Sequence, residues 1–166
     1  IYTDLGLFTA NKDINDDVQD LFNVMTGYGV VNHYRKLLVS PHTLRPGITK
    51  LIRREIEQHK KHGNGHIIIK CNQLVDYEMV KVLYEASRAG VKIECIVRGI
   101  CSLRPGLPGV SDTITVRSIV GRLLEHARIY YFHNNGDEEM YFGSADLMTR
   151  NLNGRIEVLT PLLQEN

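Results

Sequence analysis

The sequence places a histidine and an arginine two residues apart, at the start of the aromatic run HARIYYF. His126 can exchange a proton near neutral pH, and Arg128 can hold a phosphate group with two parallel N–H donors. Side chains two residues apart lie on the same face of an extended strand, so both groups would point to one place. The pattern leaves two interpretations open: a phosphate-handling site, or a packed histidine whose hydrogen bonds are satisfied inside the fold.

Small residues and further positive charges follow this pair. Gly143 and Ser144 permit a close approach of the backbone, and Arg150 and Arg155 add charge. A phosphate needs N–H donors, guanidinium groups and space beside it, and the segment from 126 to 155 offers all three. The spacing alone does not decide between the two interpretations.

A loop rich in glycine and proline, RGICSLRPGLPGVSD, follows the apolar run VKIECIV. In layered α/β sheets, ligands bind beyond the carboxyl ends of the strands, which is where Arg98 would lie, with Arg104 in the loop itself. The loop is not a Walker A sequence, because no Gly-Lys-Ser/Thr follows its glycines. Arg98 is therefore either a phosphate contact or an ordinary surface cation.

The other histidines and the cysteines form no comparable pattern. The three cysteines fit no metal-ligand spacing, and an odd number in apolar surroundings indicates reduced, buried thiols and a cytoplasmic protein. Six histidines lie at predicted helix ends, strand edges or loops, where a structural or solvent role is expected: His33, His42, His59, His62, His66 and His133.

Length and composition predict one globular domain with a substantial core. The chain has 166 residues, of which 43 % are hydrophobic and 23 % are charged. Its formal net charge of +1 gives no general argument for binding nucleic acid or a membrane surface, and no apolar run is long enough to span a bilayer. The chain opens inside a strand-like pattern without an initiator Met, so we expect it to be a fragment of a longer protein.

Apolar periodicity predicts an α/β fold. Strands are expected at 1–8, 36–41, 66–72, 91–97, 113–119, 128–132, 139–142 and 154–163. Helices are expected at 15–26, from Pro46 to Gly63, from the capping residue Asp76 to about Ala89, and briefly at 120–124. Alternation of strand and helix in the first half predicts a sheet with parallel segments, and the two strands around HNNGD predict a hairpin.

Several long motifs together resemble the large bacterial polyphosphate kinase family. They are IVRGICSLRPGLPGVSDTITVRSIVGRLLEHARIYYF, GSADLMTRNL and RIEVLTPLL, with LFNVMTGY, KLLVSPHTLRPGI and IKCNQLVD in the first half. The resemblance runs over essentially the whole chain. It implies a phospholipase-D-like fold, in which a layered mixed β-sheet is flanked by helices. It also implies that residues 1–10 are the closing strand of a preceding phospholipase-D-like domain, and that 11–166 are the final such domain.

The resemblance also implies roles for individual residues. HAR corresponds to the second of two histidine motifs, so His126 is expected to be catalytic and to contact ATP; Tyr2 and Arg98 are expected to bind the nucleotide. Arg128 and Arg155 are expected to contact phosphate, although phospholipase-D-like sites usually carry Lys where Arg128 stands. The phosphorylated histidine and the positions linked to Mg²⁺ are expected upstream, so no metal site is expected in this chain.

The implied activity is the reversible transfer of the terminal phosphate of ATP to polyphosphate through a phosphohistidine. Implied partners are ATP or ADP, polyphosphate and the remaining domains of the full-length chain, which is expected to form a homo-oligomer; neither nucleic acid nor a membrane span is implied. Two alternatives remain: a phospholipase-D-like phosphodiesterase or nuclease, and a non-catalytic module that binds nucleotide or polyphosphate.

Overall fold

A computed structural model of the chain describes residues 1–29 and 33–163. The helices are α1 (Lys12–Met25), α2 (Leu44–His62), α3 (Tyr77–Arg88) and the short α4 (Thr149–Asn153). The strands are β1 (Tyr2–Thr3), β2 (Leu38–Val39), β3 (His66–Cys71), β4 (Lys92–Val97), β5 (Ile114–Arg117), β6 (Leu124–Glu125), β7 (Arg128–Phe132), β8 (Glu139–Gly143) and β9 (Val158–Pro161).

Seven of these strands form one mixed sheet in the order β2-β9-β8-β7-β3-β4-β5. The neighbours β3, β4 and β5 run parallel, and each of the other neighbouring pairs is antiparallel. The predicted mixed α/β sheet is confirmed, and so is the hairpin, in which β7 and β8 pair from Arg128 opposite Gly143 to Phe132 opposite Glu139.

The main core lies between the sheet and helices α2 and α3. Alternate residues of β3 face it, with Ile67 and Ile69 fully buried. On α3, Leu83 and Ala86 are also fully buried. The predicted cap of this helix is confirmed, because the Asp76 carboxylate accepts a hydrogen bond from the Met79 N–H at 3.1 Å.

Two sequence-based expectations are wrong. The strand expected at 1–8 comprises only Tyr2 and Thr3, and the residues between it and α1 are irregular. The helix expected at 120–124 does not form: Leu124 and Glu125 are instead strand β6, which pairs in parallel with β1 in a separate two-stranded sheet. This pairing joins residues more than 100 positions apart in the sequence, so no local pattern could have indicated it.

Helix α1 packs on the edge of the large sheet through a second, smaller core. Ile14 and Leu21 contact a group of buried residues after the helix, together with Val158 of β9: Tyr34, Leu37 and Val39. The carboxylate of Asp17, which is fully buried, accepts the backbone N–H groups of residues 35, 36 and 37 at 2.9, 2.7 and 2.9 Å. Asp17 therefore ties α1 to the segment that leads into β2.

We expect Asp17→Asn to destabilise the protein by about 1.5–3 kcal/mol at pH 7, the range for losing hydrogen bonds to a charged group. Burial alone would raise the pKa of Asp17, but its backbone N–H donors outweigh burial and lower that pKa below 3.8. A lowered native pKa stabilises the fold above the unfolded value, and the contribution is lost as pH falls through the native value. Urea unfolding at neutral pH and at about pH 3 measures this, with the destabilisation shrinking at the lower pH.

Asp20→Asn is the matched control, because this side chain lies on the same helix and is 38 % exposed. We expect the control to change the free energy of unfolding by less than about 0.5 kcal/mol. A destabilisation by Asp17→Asn that is equally large at both pH values would contradict the role of the charge.

Candidate functional site

The candidate site lies at one edge of the large sheet, where the carboxyl ends of β3, β4 and β8 meet the amino ends of β7 and β9. Arg98 follows β4 directly, and Gly143 is the last residue of β8. His126 occupies the short connection between β6 and β7, at the same edge. This is the edge at which ligands bind in layered α/β sheets.

His126 is both hydrogen-bonded and accessible. Its Nδ1 lies 2.7 Å from Oδ2 of Asp4, and its backbone N–H donates to the Thr3 carbonyl at 3.1 Å. The ring of Tyr2 meets the imidazole edge-on, with 5.1 Å between the ring centroids. The imidazole side chain is nevertheless 34 % exposed. The structure thus brings Tyr2 and His126 together, and the histidine has a fixed partner on one side and open space on the other.

Asp4 is held as an anion by this contact. The hydrogen bond from His126 lowers the pKa of Asp4 below 3.8, against a smaller opposing effect of burial. A carboxylate on Nδ1 fixes the orientation of the ring, so a ligand that contacts the imidazole at Nε2 shares that nitrogen with Nη1 of Arg128, which lies 3.0 Å away. This is the arrangement that positions an imidazole for proton exchange or for a phosphate contact.

Arg128 lies directly against His126. Its Nη1 donates to the His126 carbonyl at 2.9 Å and lies 3.0 Å from the ring Nε2. On its other side, Nη2 is 3.2 Å from Oδ2 of Asp146, and the Arg128 side chain is only 11 % exposed. Asp146 also accepts the Asn72 N–H at 2.6 Å. Arg128 therefore joins His126 to a buried carboxylate, and its expected contact with phosphate stays a prediction.

Two more cations bind the backbone on either side of His126. Nη1 of Arg98 donates to the Glu125 carbonyl at 2.8 Å, which places Arg98 beside the candidate site. Nζ of Lys70 donates to the Ala127 carbonyl at 2.8 Å and lies 3.3 Å from the Glu125 carboxylate. These contacts fix the residues on both sides of His126 to strands β3 and β4.

The close packing of strand β9 against β8 requires a glycine at position 143. A Cβ atom at this position would lie 1.9 Å from the Val158 carbonyl oxygen, far inside van der Waals contact. The close backbone approach that Gly143 permits is made here by β9, and an approach of phosphate to this residue stays a prediction. A cavity of about 170 Å³ opens beside the imidazole, between Asp4, Arg128 and Ser144.

Arg155 is exposed in the turn between α4 and β9, and its N–H donates to the Arg150 carbonyl at 3.0 Å. Within residues 1–29 and 33–163, no hydrogen bond or ion pair joins Arg155 to the His126 group. A larger cleft of about 680 Å³ lies at the opposite edge of the sheet, between Lys36, Met140 and Leu163, and contains none of the predicted site residues.

The described part of the chain contains no group of three or more His, Cys, Asp or Glu residues that could hold a metal ion. Mg²⁺ prefers oxygen ligands, but the carboxylates nearest His126 are already engaged, Asp4 by the imidazole and Asp146 by Arg128. The residues present here do not fit a magnesium site. In the described residues no helix is both long and apolar enough to cross a bilayer.

Sequence reasoning missed three residues that hold the site together. Lys70 had a signal, since it is a lysine inside the otherwise apolar strand HIIIKC. Asp146 had no signal in the sequence that pointed to its pairing with Arg128. Asp4 had no local signal, because it is separated from His126 by 122 positions.

Comparison with known proteins decides the family. The family model described as polyphosphate kinase C-terminal domain 2 matches residues 37–166. The chain belongs to the polyphosphate kinase family. It is 53 % identical over 162 residues to the polyphosphate kinase of Staphylococcus haemolyticus and 55 % identical over 163 residues to that of Prosthecochloris aestuarii. The matches cover 98 % of this chain but 22 % and 23 % of those relatives, so the chain spans less than a quarter of their length.

Solved structures agree with this assignment. The crystal structure of the polyphosphate kinase from Porphyromonas gingivalis superposes with a TM-score of 0.91 and 46 % identity, covering 94 % of this chain and 24 % of that one. The phospholipase D family member Nuc from Salmonella typhimurium superposes with a TM-score of 0.55 at 12 % identity, covering 76 % of this chain and 80 % of its own. NucT from Helicobacter pylori also shares this fold, with a TM-score of 0.55 at 13 % identity, covering 75 % of this chain and 82 % of NucT. The phospholipase-D-like fold predicted for this polyphosphate kinase domain is thus confirmed.

Proposed function

We propose that this domain supplies one half of an active site that transfers the terminal phosphate of ATP reversibly to polyphosphate, through a phosphohistidine in the preceding part of the full-length kinase. The observation that carries the proposal is the geometry of His126. Its ring is oriented by Asp4 on one side, is backed by Arg128, and faces a cavity at the ligand-binding edge of the sheet.

In this proposal His126 contacts the phosphate that is being transferred and exchanges a proton with it. Phosphoryl transfer depends mainly on positioning and on neutralising charge, and the cations at this edge suit that task. Tyr2 and Arg98 bind the nucleotide, and Arg155 adds positive charge for phosphate. Arg128 contributes its positive charge next to the imidazole, and in this proposal that charge attracts the phosphate.

The size of the cavity supports a shared site. A small-molecule pocket usually encloses about 300–1,000 Å³, whereas the cavity beside His126 is about 170 Å³. It has room for a phosphate group, and we propose that the rest of the nucleotide is held by the preceding domain. We place the Mg²⁺ that accompanies ATP there too, because no residues here fit it. The full-length enzyme would be a cytoplasmic homo-oligomer.

A phosphodiesterase is the second candidate, because the fold is shared with a phospholipase D family member. Such sites use a lysine two residues after the histidine, where this chain has Arg128. In addition, Arg128 is mostly buried and paired with Asp146. These features favour the phosphotransferase.

Transfer of label from γ-labelled ATP tests the proposal. We expect the full-length kinase to form labelled polyphosphate, and a protein of residues 1–166 to form none, because the nucleophilic histidine precedes this segment. The second measurement is the hydrolysis of bis(p-nitrophenyl) phosphate, a phosphodiester substrate. Polyphosphate synthesis by residues 1–166, or phosphodiester hydrolysis by the full-length protein without phosphoryl transfer, would overturn the proposal.

A further inference from the structure

Exposed apolar side chains are concentrated at the start of the chain. Residues 1–29 contain nine large hydrophobic side chains that are exposed, against ten in the 131 described residues from 33 to 163. The nine are Ile1, Tyr2, Leu5, Leu7, Phe8, Val18, Phe22, Met25 and Tyr28. Single exposed apolar residues are ordinary on a protein surface, but a contiguous group marks a binding surface.

Helix α1 contributes three of these exposed side chains, because the rest of the domain covers only part of the apolar side of the helix. Ile14 and Leu21 are buried in the second core. Val18, Phe22 and Met25 follow each other at spacings of four and three residues, so they line one side of the helix next to the buried pair. They are 37 %, 60 % and 54 % exposed. The sheet therefore covers only one flank of the stripe.

The exposed flank is held in a fixed orientation. Asn11 caps the helix by accepting the Ile14 N–H at 3.1 Å, and Asp17 binds three backbone N–H groups on the other side of α1. A helix anchored in this way presents Phe22 to solvent as a rigid surface. Its opposite face carries Asp13, Asp16 and Asn23, and is suited to water.

The family comparison is the basis for proposing what covers this flank. The model for C-terminal domain 2 begins at residue 37, so α1 lies outside the matched domain, and that description implies another C-terminal domain in the same polypeptide. The chain covers 22 % of the relative from Staphylococcus haemolyticus, so most of such a polypeptide lies elsewhere. We propose that Val18, Phe22 and Met25 dock on the domain that precedes residue 1 in the full-length kinase, which makes α1 a connector packed between two domains. This proposal requires only family membership and is independent of the proposed reaction.

Thiol labelling of the full-length kinase tests this docking. Phe22→Cys and Met25→Cys each place a reporter on the exposed flank, and Asn23→Cys places a matched control on the opposite face of the same helix. In the native full-length protein we expect the reporters at 22 and 25 to react with a maleimide at least tenfold more slowly than the control, and all three to react equally in denaturant. Mass spectrometry locates the label and separates it from Cys71, Cys95 and Cys101, which are buried or half-buried.

Two results would overturn the inference. One is labelling of positions 22 and 25 as fast as position 23 in the native protein, which would mean that the flank is open to water. The other is protection that disappears when the protein is diluted to a monomer, which would mean that a second copy covers the flank. Protection that is unchanged on dilution supports docking within one chain, whether or not the enzyme forms polyphosphate.

Discussion

His126→Gln in the full-length kinase should lower polyphosphate synthesis by about a hundredfold or more, the usual scale of acid–base assistance. Glutamine keeps a hydrogen-bond donor beside the cavity but cannot exchange a proton near neutral pH. Nucleotide binding should therefore be retained. The melting temperature should change by no more than about 2 °C, because the imidazole is 34 % exposed and is not part of the core.

His133→Gln is the matched control for this variant. His133 also lies at a strand end, is 26 % exposed and contacts the hydroxyl of Tyr131, but it lies at the opposite edge of the sheet. The control should retain normal synthesis. Normal turnover by His126→Gln would mean that the imidazole only donates a hydrogen bond to phosphate, and unfolding of the variant would favour the interpretation of a packed histidine.

Asp146→Ala should destabilise the fold by about 3–5 kcal/mol, the range for removing one partner of a buried ion pair. The variant would leave the Arg128 guanidinium, in a side chain only 11 % exposed, without its carboxylate, and the Asn72 N–H without its acceptor. Urea unfolding measures this loss. Adding Arg128→Met should restore part of the stability, because the double variant no longer buries an unpaired charge.

Asp16→Ala provides the comparison for a surface pair. Asp16 binds Lys12 at 2.7 Å on the outer face of α1, where the lysine side chain is 86 % exposed. Such pairs contribute about 0–1 kcal/mol. If Asp146→Ala cost no more than Asp16→Ala, Arg128 and Asp146 would not be the structural link that their burial indicates.

The elements that the sequence predicts well are those with local signals. The Asp76 cap, the end of α2 at Gly63 and the hairpin from β7 to β8 depend on neighbouring residues, and each is present. The prediction of a helix at 120–124 is wrong because Leu124 and Glu125 pair with strand β1, which is distant in the sequence. Pairing with a strand that is distant in the sequence overrides a weak local preference.

The residues of the candidate site likewise include some that have a local signal in the sequence and some that have none. His126 and Arg98 could be selected because a histidine next to an arginine and a cation at a strand end have recognisable chemistry. Their partners could not be, because Asp4 and Asp146 look like ordinary surface carboxylates until the fold brings them to His126 and Arg128. The sequence thus predicts which groups can react, whereas the contacts that orient them depend on tertiary structure.

The two contacts beside the imidazole, Asp4 with His126 and Asp146 with Arg128, differ in the chain entropy that is lost when each forms. Joining Asp4 to His126 closes a loop across 122 positions, whereas joining Asp146 to Arg128 spans 18. With a cost that grows as (3/2)RT times the logarithm of loop length, the longer closure is less favourable by about 1.7 kcal/mol. Strand β1 offsets that cost with only two residue pairs. We therefore expect local unfolding to break the contact between Asp4 and His126 before the contact between Arg128 and Asp146.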